Sequence, residues 1–386
     1  MITPQLRFTP PELPAAIEQL RHEVRDFIAE ERRNGFLPRP NHVGMRVSFD
    51  FTRKLAKRGW IGMTWPKKYG GHERTALERY AVTEELLAAG APVRAHWVPD
   101  RQTGPLLLKF GTEEQKLKYL PGIAAGECIF SIGLSEPGTG SDLASLSTRA
   151  DRVEGGWKIS GTKSWNSNSH NAQFMIALCR TEPPGEDRHR GISQFIVDLS
   201  APGVTIRPII NLAGEHDFNE VVLDAVFVPD KNLLGELGNG WNQVSTELAY
   251  ERSGPERWLS AFRLLAELTE ALGIKASASG CERLGQLLAH LLTLRQMSLS
   301  IAMTLQTGHA PNLEAAIVKD LGTCFEQDLV RIARDLINSE AIDIFERARL
   351  LGEVLDHAQL WSVIYTVRGG AKEIMRGVIA RGLGLR

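Results

Sequence analysis

Phe130-Ser-Ile-Gly-Leu-Ser-Glu-Pro-Gly-Thr-Gly-Ser-Asp142 separates two chain segments of different character. Gly133, Gly138 and Gly140 fall within eight residues. Pro137 interrupts them, and hydroxyls recur at Ser131, Ser135, Thr139 and Ser141. Glycine admits close backbone approach and positive φ. Exposed N–H groups and hydroxyls in such a turn can bind a phosphate or the polar edge of a heterocycle. No Gly-Lys-Ser/Thr closes the stretch, so it is not a P-loop. No strand–turn–helix pattern surrounds it, so it is not a dinucleotide fingerprint. From the stretch alone, a ligand-contacting turn and an ordinary surface loop both remain open.

Upstream, the chain reads as helical. Residues 11–35 carry Ile17, Leu20, Val24, Phe27 and Ile28 at helical spacing, with Pro11 and Glu12 suited to a first turn. Further helices are expected at 48–58, 73–89, 101–110 and 113–125. Trp65-Pro-Lys-Lys-Tyr-Gly-Gly71 and Gly90-Ala-Pro92 interrupt them. Downstream, the pattern turns to strands. Gly155-Gly156 suits a hairpin and Trp157-Lys-Ile-Ser160 alternates. Gln173–Cys179, Ile192–Leu199, Val204–Ile210 and Phe218–Val228 are rich in β-branched and aromatic residues between Pro and Gly breaks. Such spacing predicts a β-sandwich or barrel of about a hundred residues. After Gly235-Glu-Leu-Gly-Asn-Gly-Trp241, helices are expected at 241–272, 280–306, 313–338 and about 354–381. Leu284, Leu287, Leu288, Leu291, Leu292 and Leu294 give one of them a broad apolar face. The expected layout is α+β: an N-terminal helical domain (1–129), a central β domain (130–236) and a C-terminal four-helix bundle (237–386).

Composition narrows the function classes. The 386 residues are 43% hydrophobic and carry a net charge of −1, so nothing favours nucleic acid or an anionic membrane as partner. Cys128, Cys179, Cys281 and Cys324 lack metal-ligand spacing and fit a reducing cytoplasm. Neither a signal-peptide pattern nor an apolar run of transmembrane length is present, and no metal site is expected.

Several motifs in series carry a resemblance. They are Trp65-Pro-x-x-Tyr-Gly-Gly71, Gly111-Thr-Glu-Glu-Gln-Lys116 with Tyr119-Leu-Pro121, and Ser135-Glu-Pro-Gly-Thr-Gly-Ser-Asp142. Gly161-Thr-Lys-Ser-Trp165, Val228-Pro229 with Gly235-Glu, and Tyr250-Glu-Arg252 follow. In this order they resemble the acyl-CoA dehydrogenase family of flavoproteins across nearly the whole chain. The resemblance implies FAD as cofactor, an acyl-CoA substrate and electron-transferring flavoprotein as acceptor. It implies an oligomer, a homodimer or homotetramer, with a heteromer as the alternative. By the same resemblance Leu134 and Ser135 contact the isoalloxazine edge, Trp165 lies against the ring, and Ser167 hydrogen-bonds near its N5. Gly140 and Ser141 face the thioester and CoA. Gly370 falls on the cofactor side, and Arg283 matches an arginine that reaches the FAD pyrophosphate of a neighbouring subunit. An arginine fork suits phosphate oxygens. The segment departs from the family pattern, since Leu284 follows the arginine and only Leu351-Gly352 remains of a glycine pair. Without the resemblance, Trp165 reads equally as a hairpin core residue and Arg283 as a helix-surface cation.

The family reaction removes an α-proton while hydride leaves the β-carbon for the flavin. A poor carbon acid needs hydrogen bonds on the thioester oxygen and a carboxylate base with raised pKa. Many relatives place that glutamate before the final helix, where this chain has Gly369 in Val367-Arg-Gly-Gly-Ala-Lys-Glu-Ile-Met-Arg376. Another branch, including isovaleryl-CoA and bacterial sterol dehydrogenases, carries it in an earlier Glu-Arg pair. Glu251-Arg252 matches that pair. The resemblance thus implies Glu251 as base and Arg252 on the substrate side, with Glu247, one turn earlier, as runner-up. Glu256, after Pro255, points elsewhere. Gly369, Gly370 and Ala371 opposite such a base suggest room for a branched or ring-bearing acyl group. An oxidase or monooxygenase on the same scaffold, and a partly degenerate subunit of a heteromer, are the alternatives.

Overall fold

The computed structural model describes residues 6, 8–9, 12–37, 43, 45–252, 254–273, 276–306, 311–340 and 345–385, with the side chains of 247–251, 306 and 345–346 outside that description. The order is α1 (Ala15–Arg33), α2 (Phe49–Lys57), α3 (Ala76–Ala88), α4 (Arg94–Val98), a π-helical turn (Pro99–Thr103), α5 (Gly104–Phe110) and α6 (Glu113–Ala124). Strands follow: β1 (Phe130–Gly133), β2 (Arg149–Val153), β3 (Gly156–Ser167), β4 (Phe174–Arg180), β5 (Ile192–Asp198), β6 (Val204–Ile210), β7 (His216–Pro229) and β8 (Leu233–Leu234). The rest is α7 (Gly240–Glu251), α8 (Phe262–Leu272), α9 (Ala278–Gln306), α10 (Asn312–Ser339), α11 (Phe345–Tyr365) and α12 (Lys372–Gly382).

The first helix is shorter than its periodicity suggests. It starts after Pro14, which stands at its N-cap. Two further expectations change more. The helix expected over 241–272 is two helices, because Pro255 lacks the N–H a continuous helix needs and a short 3-10 turn (Pro255–Arg257) takes its place. The helix expected over 354–381 ends at Tyr365 and restarts at Lys372. Gly369 (φ 68°) and Gly370 (φ 101°) adopt left-handed backbone between them.

The chain packs as two compact units, 1–46 with 75–91 and 252–386, and 47–74 with 92–251. In the first, α1 and α3 share a core with α8–α11. Leu264, Leu268, Leu329, Ala333, Val354 and Ala358 are buried there. On α9 the leucine face divides: Leu287 and Leu294 are buried, whereas Leu288 and Leu292 are exposed. Charge also crosses this core. Arg21 of α1, buried, pairs with Glu85 (2.8 Å) and Glu84 of α3. Arg295 of α9 donates to Glu84 at 2.8 Å, and the half-exposed Arg25 donates to Glu85 at 2.7 Å.

In the second unit one mixed sheet runs β6-β7-β3-β2-β4-β5-β8, with β1 parallel to β4. Register shifts at Ile159/Gly161 and Lys163/Asn166 bulge the long strand β3 against β7, and bulges bend a sheet. Residues from β2, β3, β4, β5 and β7, among them Ile159, Met175, Ala177, Phe195, Val221 and Val226, enclose one core. The opposite face of β4 and β5 (Ile176, Ile196) packs on α5 and α6 through Leu107, Tyr119 and Leu120. Two motifs have structural duties here. Thr112 and Gln115 close a capping box on α6, and the Gln115 amide also donates to the carbonyls of Lys231 and Leu233, 2.8 Å each. Trp65, buried, places its indole ring against Gly104 and its backbone carbonyl against Gly71, where a Cβ would stand 2.0 Å from the ring and 2.2 Å from the oxygen.

The ion network generates a stability prediction. Arg21→Met leaves two buried glutamates with one arginine each and is expected to cost about 3 kcal/mol, the lower end for breaking a buried pair because each glutamate keeps one partner. Arg25→Met, at a half-exposed site, costs less than about 1 kcal/mol. Urea unfolding of both variants checks the difference; equal costs would refute the buried network.

Candidate active site

The opening stretch begins as strand β1, and a tight turn follows. Glu136 and Thr139 exchange backbone hydrogen bonds of 2.8 and 3.0 Å, and Ser135 O accepts from Ser164 N at 2.8 Å. Beneath the turn lies a buried ion pair. Lys163 of β3 has a fully buried side chain, and its Nζ donates to Glu136 Oε1 (2.8 Å) and to Leu134 O (3.2 Å). The Glu136 carboxylate also accepts from Ser147 N (2.7 Å), Ser147 Oγ (2.6 Å) and Thr148 N (2.9 Å). Burial opposes its charge, yet Lys163 and these donors outweigh burial and bring its pKa down to about 2. The glycines have a different use from the one their sequence suggests. Neither Gly138 nor Gly140 has positive φ, and a Cβ at either would meet nothing within 4 Å. Their missing side chains leave open backbone. Ser135 is half-buried, and Gly140 and Ser141 are exposed.

The second bulge of β3 displays Trp165. Its φ is 62°, an uncommon state for a bulky residue, and 60% of its surface is exposed. Phe218 supports it edge-on at 5.8 Å. Trp165 is therefore no hairpin core residue; the fold holds it outward in a strained conformation. Its neighbour Asn166 turns inward and donates to Ile132 O at 2.7 Å. Asn219 Nδ2 donates to Asn166 O (3.0 Å), so the Asn219 oxygen faces His170 Nδ1 (3.1 Å) and His216 Nε2 (2.8 Å), and those nitrogens carry the protons. Burial and the stacked His216, 3.8 Å away, lower the pKa of His170. Ser167 is half-buried and pairs with Phe218.

Beyond Ser141, Asp142 accepts from Ser145 Oγ (2.6 Å) and Arg188 (2.9 Å), and these bonds lower its pKa. Arg180 fastens the 182–190 loop by donating to the carbonyls of Ala144 (2.6 Å) and Arg190 (2.8 Å). Arg180 and Arg188 thus border the end of the turn that the family resemblance gives to the thioester and CoA.

Helix α7 leaves the same unit. Gly240 fits against the backbone of Ile192 and Ser193, where a Cβ would stand 2.8 Å from Ile192 O, and Gln243 donates to Leu234 O at 2.7 Å. Glu251 is the last residue of α7, about 16 Å along the axis from Gly240. Its side chain and that of Glu247 lie outside the described residues. In the other unit, Arg252 is half-buried and Glu256 is buried beside Arg257 (3.9 Å). Arg257, also buried, lies against Gly369. A Cβ there would stand 2.7 Å from its Nη2 and 2.9 Å from its Nη1. The buried Lys319 donates to Gly370 O at 2.5 Å; burial and the neighbouring Arg257 and Arg368 bring its pKa down to about 8. Arg283 donates to Asp335 Oδ2 at 3.0 Å, an ion pair between α9 and α10.

The structure brings Leu134 and Ser135, in the turn after β1, beside the end of β3 that carries Trp165 and Ser167, through the Ser164 N to Ser135 O bond of 2.8 Å. Sequence reasoning missed Glu136 and Lys163. A lysine among strand residues, Gly161-Thr-Lys-Ser-Trp165, was the available signal. Glycine-open backbone, the exposed indole and the Ser135, Ser141 and Ser167 hydroxyls suit a flavin, which needs one aromatic wall and a few placed donors.

Family models agree along the chain. The acyl-CoA dehydrogenase N-terminal, middle and C-terminal domains match residues 14–127, 131–226 and 238–384. The chain belongs to the acyl-CoA dehydrogenase family and is a flavoprotein oxidoreductase of that class. It is 31% identical over 388 residues to acyl-CoA dehydrogenase IpdE1 of Mycobacterium tuberculosis, covering 96% of this chain and 98% of that protein. Acyl-CoA dehydrogenase FadE34 of the same organism is 33% identical over 336 residues, but the match spans 85% of this chain and only 45% of FadE34. Among solved structures, the Tcur3481-Tcur3483 steroid ACAD superposes with a TM-score of 0.84 at 30% identity, covering 97% of this chain and 98% of that one. The ChsE4-ChsE5 complex from M. tuberculosis gives 0.81 at 29% identity, with 98% and 100% covered. No described helix is long and apolar enough to cross a membrane.

The strained indole generates a prediction. Trp165→Gly relieves the left-handed backbone, so the flavin-free protein keeps or raises its melting temperature, while flavin binding weakens at least tenfold, about 1.4 kcal/mol. Thermal scans and a fluorescence titration with FAD check both halves. Unfolding of the variant would show Trp165 to be a packing residue.

Proposed function

We propose that the chain dehydrogenates the Cα–Cβ bond of an acyl-CoA thioester, with FAD as its cofactor and Glu251 as the base. The observation that carries this reading is Arg257 against Gly369. Left-handed φ strains any side chain at that position, and a glutamate carboxylate there would pair with the Arg257 guanidinium and be held ionised, a poor proton acceptor. The α-proton must then go to a carboxylate elsewhere, and Glu251 at the end of α7 has the Glu-Arg context of the second family branch. When bound, FAD supplies the hydride acceptor. The chain's residues do the rest: Leu134 and Ser135 bind the ring edge, Trp165 covers the ring, and Ser167 donates near N5. Gly140 and Ser141 bind the thioester end, Glu251 takes the α-proton, and Arg252 binds on the carrier side.

The acyl group is branched or ring-bearing. Gly369 and Gly370 do not supply room for it, since Arg257 and Met375 pack against them; the reading rests on relatives that include proteins named steroid ACAD and 2-methylacyl-CoA dehydrogenase. Electron-transferring flavoprotein is the acceptor, and the cytoplasm is the compartment, in keeping with four free cysteines. The assembly is a homodimer or homotetramer. A heteromer is the second reading, favoured by Arg283 being engaged by Asp335 and by the ChsE4-ChsE5 likeness. Flavin per chain, counted with and without a second chain type, separates the two.

Glu251→Gln is expected to retain yellow FAD-loaded protein and lose acyl-CoA turnover by about 10²–10⁴-fold, the usual contribution of a general base. Adding Gly369→Glu to that variant restores nothing, because the new carboxylate would meet Arg257. Bleaching of the flavin by a panel of acyl-CoAs reads both. Wild-type turnover in the first variant sinks the base assignment, and recovery in the second sinks the role of Arg257.

A further inference from the structure

The buried Lys163–Glu136 pair is larger in consequence than a loop fastener. The Lys163 ammonium has no exposed surface and two oxygen partners, the Glu136 carboxylate at 2.8 Å and the Leu134 carbonyl at 3.2 Å. A trans peptide holds its C=O and N–H antiparallel. With the Leu134 carbonyl drawn inward to Lys163, the Ser135 N–H points the opposite way. The Ser135 carbonyl is held in turn by Ser164 N at 2.8 Å, so this residue is fixed at both of its peptides. A cation on a peptide oxygen polarises the amide and strengthens its N–H as a donor, more so in a low-dielectric interior. The Glu136 charge cancels only part of that field, because the carboxylate is shared among Ser147 N, Ser147 Oγ and Thr148 N as well.

We propose that Lys163 is a positioning residue that raises the reduction potential of the bound flavin through the Leu134–Ser135 peptide. The proposal rests on the flavin placement proposed above, in which Ser135 meets the ring edge. A donor there is worth more to the reduced ring, which carries more negative charge, than to the oxidised ring. Strengthening that donor therefore favours reduction. Glu136 has the opposite sign and moderates the effect.

The test is redox titration of the full-length, FAD-loaded protein with dithionite, for wild type, Lys163→Met and Glu136→Gln. Lys163→Met is expected to weaken the preference for reduced flavin about tenfold, which is ~30 mV for a two-electron couple. Glu136→Gln, titrated at a pH low enough to keep Lys163 protonated, removes the opposing charge and moves the potential upward. Opposite shifts support the proposal, since a purely structural pair gives no such signs. If Lys163→Met does not fold, the direction in Glu136→Gln decides by itself. Unchanged potentials overturn the proposal, as does a downward shift in Glu136→Gln. Loss of fold or of flavin in both variants also overturns it, because the pair then only holds the loop. A wild-type protein that binds no FAD sinks the underlying flavin placement instead, whatever the variants do.

Discussion

A lysine ammonium with no exposed surface must be neutralised inside the protein, and Lys163 meets that demand with Glu136. An unpaired buried cation would cost several kcal/mol, so the two side chains find each other wherever else the loop could go. Once they do, much follows. Glu136 draws Ser147 and Thr148 beneath the turn, Leu134 is pulled onto β3, and Ser135 is pinned to Ser164. The glycines above are then free of structural duty and present bare backbone. The same strand bulges two residues later and turns Trp165 outward. One ion pair thus joins the polar turn to the strand that displays the exposed indole, the two parts of the proposed flavin site.

A second electrostatic constraint acts in the other unit. Arg257, Lys319 and Arg368 are gathered near the Gly369-Gly370 turn, with Glu326 accepting from Arg368 at 2.7 Å. Burial raises the pKa of Glu326 while Arg368 opposes it. A turn surrounded by guanidinium groups is a poor place for a carboxylate that must pick up a proton, since nearby cations stabilise the ionised form. Glycine at 369 suits that electrostatic setting, and the proposed base on α7 lies outside it.

Much of this was legible in the chain. The change from 3.6-residue to two-residue periodicity at Phe130 placed the sheet, and β6 spans Val204–Ile210 as its β-branched run suggests. The breaks after α7 and α11 were less legible. Gly254-Pro255 and Gly369-Gly370 stand in the sequence between stretches of helical spacing, and periodicity says nothing about where the chain reverses. Leu288 and Leu292 show the same limit. A leucine-rich face has no marked edge until its packing partners are known.

The sequence by itself determined the family and the α–β–α order, because these reside in local spacing and in short motifs read along one dimension. Tertiary structure decided which charges meet. Lys163 and Glu136 are 27 residues apart, and Arg257 and Gly369 are separated by most of the C-terminal helices. Partner choice between such groups depends on burial and distance, which desolvation and Coulomb attraction weigh only after the chain has folded.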